Sequence, residues 1–133
     1  MQARQQTSFL FDLDGTLVDS VYDHVLAWHD ALQEEGIDVS VWRLHRRIGM
    51  SGGLFTRALA RETGTECSAE VLERLRQLHA KYYGSRSGRT RPLPGARELL
   101  AYLSDNEIPW AIATSGRMAT AGPVLEILGV DPA

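Results

Sequence analysis

Residues Phe11–Ser20, FDLDGTLVDS, decide the fold. They continue from Thr7–Phe11 (TSFLF), a short apolar, β-prone run, so the pattern predicts a buried strand whose carboxyl end opens into a glycine-containing loop. On an extended chain residues i and i+2 point the same way, which puts Asp12 and Asp14 on one side. The turn at Gly15 lets the second carboxylate fold over the first. A second short apolar run, Pro109–Ala113 (PWAIA), ends in Thr114-Ser115-Gly116. Two such strands with helical sequence between them are what a doubly wound parallel sheet uses, and ligands bind beyond the carboxyl ends of its strands. Here those ends carry Asp12 and Asp14 on one strand and Thr114 and Ser115 on the other.

The segment between the strands has helical periodicity. Val21, Val25, Trp28 and Leu32 recur at spacings of three and four within residues 19–35, with Asp19 or Ser20 to cap the start and Gly36 to close the end. A shorter helix is expected over residues 41–48. Gly49-Met50-Ser51-Gly52-Gly53 is expected to be a loop, because three glycines in five residues oppose a helix. Residues 54–63 should form another helix with Leu54, Ala58 and Leu59 on its apolar side. Ser68 should cap a fourth helix that runs to Tyr83 with Val71, Leu72, Leu75, Leu78 and Tyr82 in its stripe. Residues 84–92 (GSRSGRTRP) are polar, basic and glycine-containing, and read as a linker. A helix over residues 96–104 and a last one ending near Leu128 complete the pattern. The fold class is therefore α/β: a Rossmann-like core of residues 1–18 and 92–133 with its parallel sheet incomplete, and an inserted α-helical domain over residues 19–91.

Composition narrows the function. With 14 Lys+Arg against 17 Asp+Glu the net charge is −3, which excludes a strongly basic nucleic-acid binder and a polybasic membrane patch. At 44% apolar and 23% charged residues the chain is typical of globular proteins. No apolar run approaches the ~20 residues of a membrane helix. Arg4 leads directly into the first strand without a signal-type segment, so a cytoplasmic protein with no membrane partner is expected. The single cysteine, Cys67, excludes an internal disulfide, and its polar setting (Thr65-Glu66-Cys67-Ser68) reads as an inert free thiol in a reducing compartment. None of this distinguishes a monomer from a dimer.

The aspartate pair has a specific chemical use. One carboxylate can attack phosphorus to form an aspartyl-phosphate, and a second can protonate the leaving alkoxide and later deprotonate water. Two adjacent carboxylates need a cation, and hard oxygens suit Mg²⁺. The Thr114 hydroxyl with the amides of Ser115 and Gly116 at a helix start makes a cradle for phosphate oxygens. A calcium loop would need a Glu at its twelfth position; counted from Asp12 that position is Asp23, inside an expected helix.

FDLDGTLVDS resembles the first signature of the haloacid dehalogenase superfamily of phosphohydrolases. AIATSG (Ala111–Gly116) resembles its second, and the helical insert resembles that family's cap domain. The resemblance implies Asp12 as nucleophile and Mg²⁺ ligand, Asp14 as general acid/base with its backbone carbonyl facing the metal, and Thr114 as holder of the phosphoryl oxygens. An acid at position 14 implies a phosphate ester substrate, because a halide leaving group needs no proton. In sugar-phosphate members similar to β-phosphoglucomutase, positions matching His24 and Trp28 face the site from the first cap helix. Arg47 and residues 49–53 match the cap's specificity loop. The mutase-like arginine of that loop is absent, with Gly52 nearest to its position, although Arg46 or Arg47 could replace it. Arg43, Arg46 and Arg47 also read as a solvated face. Arg117 resembles a basic position that touches substrate phosphate. His29, His45 and His79 are expected to fill ordinary surface or core roles.

The family's third signature is a Lys or Arg after the second, and its fourth an acidic pair completing the Mg²⁺ site. Beyond Thr114 the sequence offers Arg117, Glu126 and Asp131, none in such a context, while the only lysine, Lys81, lies in the insert. The resemblance thus implies the first part of a longer enzyme, with this piece inactive alone. The expected function is a Mg²⁺-dependent phosphatase of a small phosphorylated metabolite, similar to phosphoglycolate phosphatases. A sugar phosphomutase and a non-catalytic module that keeps the fold for binding are the alternatives.

Overall fold

In a computed structural model, the chain is described over residues 7–64 and 67–131. Arg4, Thr65, Glu66 and the final Pro132-Ala133 lie outside the described residues. Strand β1 (Phe9–Phe11) pairs in parallel with β4 (Trp110–Ile112), with Phe9 opposite Trp110 and Phe11 opposite Ile112. Backbone hydrogen bonds from Phe9 N to Pro109 O and from Ala113 N to Phe11 O extend the ladder at both ends. The parallel pair expected from the two apolar runs is present. It is not buried, however: Phe9 is 42% and Leu10 73% exposed, because among the described residues β4 is the only strand beside β1.

Helix α1 (Val21–Glu34) begins at the expected place, and Val25, Trp28 and Leu32 are buried as their spacing requires. Ser20 occupies the N-cap position but makes no side-chain capping bond, since its hydroxyl is used elsewhere. Helix α2 (Val41–His45) is shorter than expected and gives way to turns. Helix α3 (Gly52–Thr63) starts inside the supposed glycine loop. Its first turn has no intrahelical N–H partners in any sequence, so glycines there cost less than in a helix interior. Its buried face is Phe55, Thr56 and Leu59; Leu59 is buried as expected, while Phe55 takes the place expected of Leu54, which is exposed.

Ser68 accepts from Val71 N at 3.2 Å and caps α4 as expected, but α4 (Ala69–Arg86) runs past Tyr83. The supposed linker is structured throughout. A 3₁₀ turn (Ser87–Arg89) follows α4, and β3 (Arg91–Pro92) then pairs antiparallel with β2 (Val18–Asp19). Thr90 between them is fully buried and donates to Asp23 Oδ2 at 3.1 Å. Local glycine and proline signals were overridden by these tertiary partners. Helices α5 (Ala96–Asp105) and α6 (Met118–Leu128) flank β4 in sequence.

Two hydrophobic clusters organise the chain. One gathers Leu13, Leu17 and Val18 with Leu100 of α5 and Val124, Leu125 and Leu128 of α6. The other gathers Val25, Trp28 and Leu32 of α1 with Leu44, Phe55, Leu59 and Leu75 of α2, α3 and α4. Ala27 of α1 and Tyr83 of α4 belong to the first cluster, so the helical insert is rooted in it. Leu13 and Leu17 are almost fully buried, each contributing ~1.5–3 kcal/mol. They hold the aspartate loop from behind and leave Asp12 and Asp14 on its other side.

Candidate active site

The loop after β1 is a tight turn. Leu17 N bonds to Leu13 O at 3.0 Å and Gly15 N to Val18 O at 2.9 Å. Gly15 has φ +74°, and a Cβ there would stand 2.7 Å from Val21 Cγ2, so only glycine fits both the dihedral and the space. The turn delivers Asp12 and Asp14 to the mouth of a cleft of about 850 Å³. The cleft lies between the carboxyl ends of β1 and β4 and the helical insert. His24 and Trp28 line it from α1, Arg76 and His79 from α4, and Ser115, Gly116 and Arg117 from the segment after β4.

The two carboxylates have different surroundings. Asp14 Oδ1 accepts from Ser20 Oγ at 2.6 Å and lies 3.0 Å from His24 Nε2. Burial pushes Asp14 upward, but the hydrogen bond from His24, the charge that ring carries when protonated, and the bond from Ser20 outweigh it, and the carboxyl sits below its usual range. Asp12 is exposed and meets the Thr16 hydroxyl at 3.5 Å. Behind His24, its Nδ1 lies 3.1 Å from His79 Nε2. The rings of Tyr83 and Trp28 stack on this pair, Tyr83 on His24 at 4.1 Å and Trp28 on His79 at 4.2 Å between centroids. Burial above all, with Asp14's charge adding to it, raises the Tyr83 hydroxyl to about 12, so it stays protonated.

Most residues singled out from the sequence meet in this cleft: Asp12, Asp14, His24, Arg47, Ser115, Gly116 and Arg117 all line it. Thr114, just before them, does not line it; its Oγ1 accepts from Gly116 N at 3.0 Å, which leaves the hydroxyl proton free to donate. Neither arginine is free. Arg47 is ion-paired with Glu62, and Arg117 Nη1 lies 3.6 Å from Glu73 Oε1, which joins the start of α6 to α4. Arg43 and Arg46 are exposed, and Arg46 sits over the Trp42 ring, in keeping with a solvated face. Cys67 is a free thiol. His79 and Arg76 were missed. Helical phase was the available signal for His79, four residues after buried Leu75 and four before buried Tyr83.

Among the described residues no group of three or more His, Cys, Asp or Glu forms a metal cage. Two hard oxygens from one loop, the Asp12 carboxylate and the Asp14 carbonyl, do suit an ion that keeps several waters and shares its substrate's phosphate, as Mg²⁺ does. The Asp14 carboxylate is itself occupied by Ser20 and His24.

His79 predicts a pH effect on stability. Burial, helped by His24 and opposed by Asp14, pushes its ring down to about 3. An unfolded histidine takes its proton near 6.5, so below that pH the unfolded chain binds one more proton than the folded one. Stability should therefore fall as the pH drops from 6.5 towards 3, by up to about 1.4 kcal/mol per unit from this residue. Urea midpoints between pH 7 and pH 5 measure it, and His79→Gln should flatten the slope; an unchanged slope would refute the assignment.

A family model for haloacid dehalogenase-like hydrolases matches residues 7–133, and the chain belongs to that family. Hexitol phosphatase A of Escherichia coli (strain K12) is 33% identical over 124 residues, covering 92% of this chain and 54% of that protein. A phosphoglycolate phosphatase of Neisseria meningitidis is 34% identical over 124 residues, covering 90% and 52%. Among solved structures, a hydrolase from Pseudomonas syringae superimposes with a TM-score of 0.92 at 51% identity over 95% of this chain and 57% of its own. A β-phosphoglucomutase from Clostridium difficile gives 0.79 at 26% identity over 92% and 56%. The chain spans about half the length of the curated relatives it matches. The expected α/β fold and family are thus borne out. No helix of the described residues is long and apolar enough to cross a membrane.

Proposed function

We propose that the full-length protein is a Mg²⁺-dependent phosphatase of small phosphorylated metabolites that works through an aspartyl-phosphate on Asp12. The observation that carries this reading is the unequal state of two carboxylates in one cleft: Asp14 is held by Ser20 and His24, while Asp12 is open to the mouth. Relatives named as phosphatases support the same class.

In this reading an Asp12 carboxylate oxygen attacks phosphorus and the ester P–O bond breaks. The leaving alkoxide takes the proton of Asp14, whose carboxyl is lifted into its acid form by the anionic phosphate brought beside it. Asp14, ionised again, then takes a proton from water; that water attacks phosphorus, the Asp12–phosphate bond breaks, and inorganic phosphate leaves. The Ser115 amide and the Thr114 hydroxyl proton hold phosphoryl oxygens, while the Gly116 amide, bonded to Thr114 Oγ1, fixes the turn that presents them. His24 orients Asp14, and Arg47 and Arg117 line the path of the substrate. The Asp12 carboxylate and the Asp14 carbonyl would hold Mg²⁺, which neutralises charge between the carboxylate and the phosphoryl group. Residues 19–91 serve as a cap that covers the cleft, and residues 1–18 and 92–133 as core. A cytoplasmic setting suits the single free thiol of Cys67.

The test is release of inorganic phosphate from small phosphate esters by the full-length protein. With Mg²⁺ present turnover should be readily measured, and chelation should remove at least roughly nine-tenths of it, with recovery on adding Mg²⁺ back. Turnover that survives chelation would reject the metal assignment. Transfer of the phosphoryl group to a second sugar phosphate, in place of water, would convert the reading to a mutase.

A further inference from the structure

His79 lies 55 residues from His24 in sequence, on a different helix, yet the two rings meet edge to edge at 3.1 Å between His24 Nδ1 and His79 Nε2. His24 in turn reaches Asp14 Oδ1 through Nε2 at 3.0 Å. The result is a line of three groups from α4, through α1, to the loop after β1. We propose that His79 is a positioning residue for this site: its Nε2–H donates to Nδ1 of the neutral His24 ring and so keeps the His24 proton on Nε2, the atom that serves Asp14. The proposal rests on the reading of Asp14 as the acid/base group.

The donor inventory gives the reason. A carboxylate only accepts, so Nε2 of His24 must donate to Asp14, and Nδ1 is left to whatever faces it. An imidazole with water at Nδ1 can carry its proton on either nitrogen, and the Nδ1–H form presents a lone pair to Asp14 instead of a donor. His79 prevents that when its single proton is on Nε2, because that N–H, 3.1 Å from His24 Nδ1, leaves Nδ1 only the acceptor role. Its own ring is held by its neighbours, lying nearly parallel to Trp28 at 4.2 Å with an interplanar angle of 20°. On the far side, Tyr83 stacks on His24 at 4.1 Å and 8°, which leaves the His24 ring little freedom to turn over. Burial keeps His79 neutral, so it has a single ring proton and complements His24 without adding charge beside Asp14. The outer ring of the line also lines the cleft, so substrate entering from the insert side meets this arrangement directly.

Three variants of the full-length protein test it. His79→Gln keeps an amide in place of Nε2. His79→Phe fills the stacked slot with no hydrogen bond, and His79→Met does the same with a flexible side chain should Phe disturb packing. Long-range ¹⁵N–¹H spectra at pH 8 read the His24 ring. The wild type and His79→Gln should show the Nε2–H form alone, and His79→Phe and His79→Met a mixture of tautomers. In turnover, Phe and Met should lower kcat about tenfold with KM within about twofold, as expected for loss of one orienting hydrogen bond, and Gln should restore most of it. A His24 ring that keeps the Nε2–H form alone in both apolar variants overturns the proposal, as does an equal loss of kcat in Gln and Phe. If the tautomer changes as expected but the wild type releases no phosphate, positioning by His79 stands and the phosphatase reading fails.

Discussion

Replacement of Asp12 by Asn should reduce phosphate release by at least roughly 10³-fold, the scale of losing a covalent nucleophile. The amide keeps the shape of the carboxylate but has no charged oxygen with which to attack phosphorus, and it is a poorer ligand for a hard cation. The fold should be untouched. Asp12 is exposed, its carboxylate meets the Thr16 hydroxyl at 3.5 Å, and the turn behind it is held by Leu13 and Leu17. The thermal midpoint should therefore stay within about 2 °C of the parent, in the range of surface substitutions. Phosphate release and a melting curve from one preparation decide it. Undiminished turnover with an intact fold would remove Asp12 from the mechanism.

Asp14→Asn should cost roughly 10²–10⁴-fold, the contribution of a positioned general acid/base, and the loss should depend on the leaving group. A simple alkyl phosphate needs its departing oxygen protonated. An aryl phosphate with a stable phenolate does not, so its first step should be spared. The second step still lacks a base, and the aspartyl-phosphate on Asp12 should accumulate, seen as a burst of one phenol per active site followed by slow turnover. Ser20 and His24 can still donate to the Asn oxygen, so the loop should keep its place. Equal losses with both leaving groups and no burst would assign Asp14 a structural part only.

How much of this was legible in the sequence follows from the range of the forces involved. FDLDGTLVDS is a local device: alternation puts Leu13 behind and the aspartates in front, and Gly15 supplies a dihedral that residues with side chains rarely adopt. Everything needed to read it lies within ten residues. The parallel partner of β1 was found for a similar reason, because a short apolar run that ends in small polar residues can do little else in an α/β chain. Residues 84–92 failed the same test. Gly84, Gly88 and Pro92 look like breakers locally, yet Thr90 is buried on Asp23 and Arg91-Pro92 pairs with Val18-Asp19, partners about seventy residues away. The one-residue error in α3, Leu54 for Phe55, is a matter of phase that only contact with Trp28 settles. In the site, Asp12, Asp14 and His24 could be named from a motif and its spacing. His79 could not be matched to His24, because nothing in either helix alone says which histidine its neighbour will bring. Thr114 accepts from Gly116 N two residues on, a bond that leaves its hydroxyl proton available to a phosphoryl oxygen.

The short ladder between Val18-Asp19 and Arg91-Pro92 has a consequence for how such a chain can diversify. It brings the exit and the return of the proposed cap to the same spot, as one stem at its base. A lobe tied off in this way can be lengthened, reshaped or exchanged without moving the strand that carries Asp12 relative to the one that precedes Thr114. Under the proposed function, selection can then vary what is recognised while leaving Asp12 and Asp14 where they are. The freedom has a boundary: Ala27 and Tyr83 are shared with the neighbouring cluster, His24 with Asp14, and Glu73 with Arg117. Any replacement lobe must reproduce those few contacts at its base, and above them its sequence is open to change.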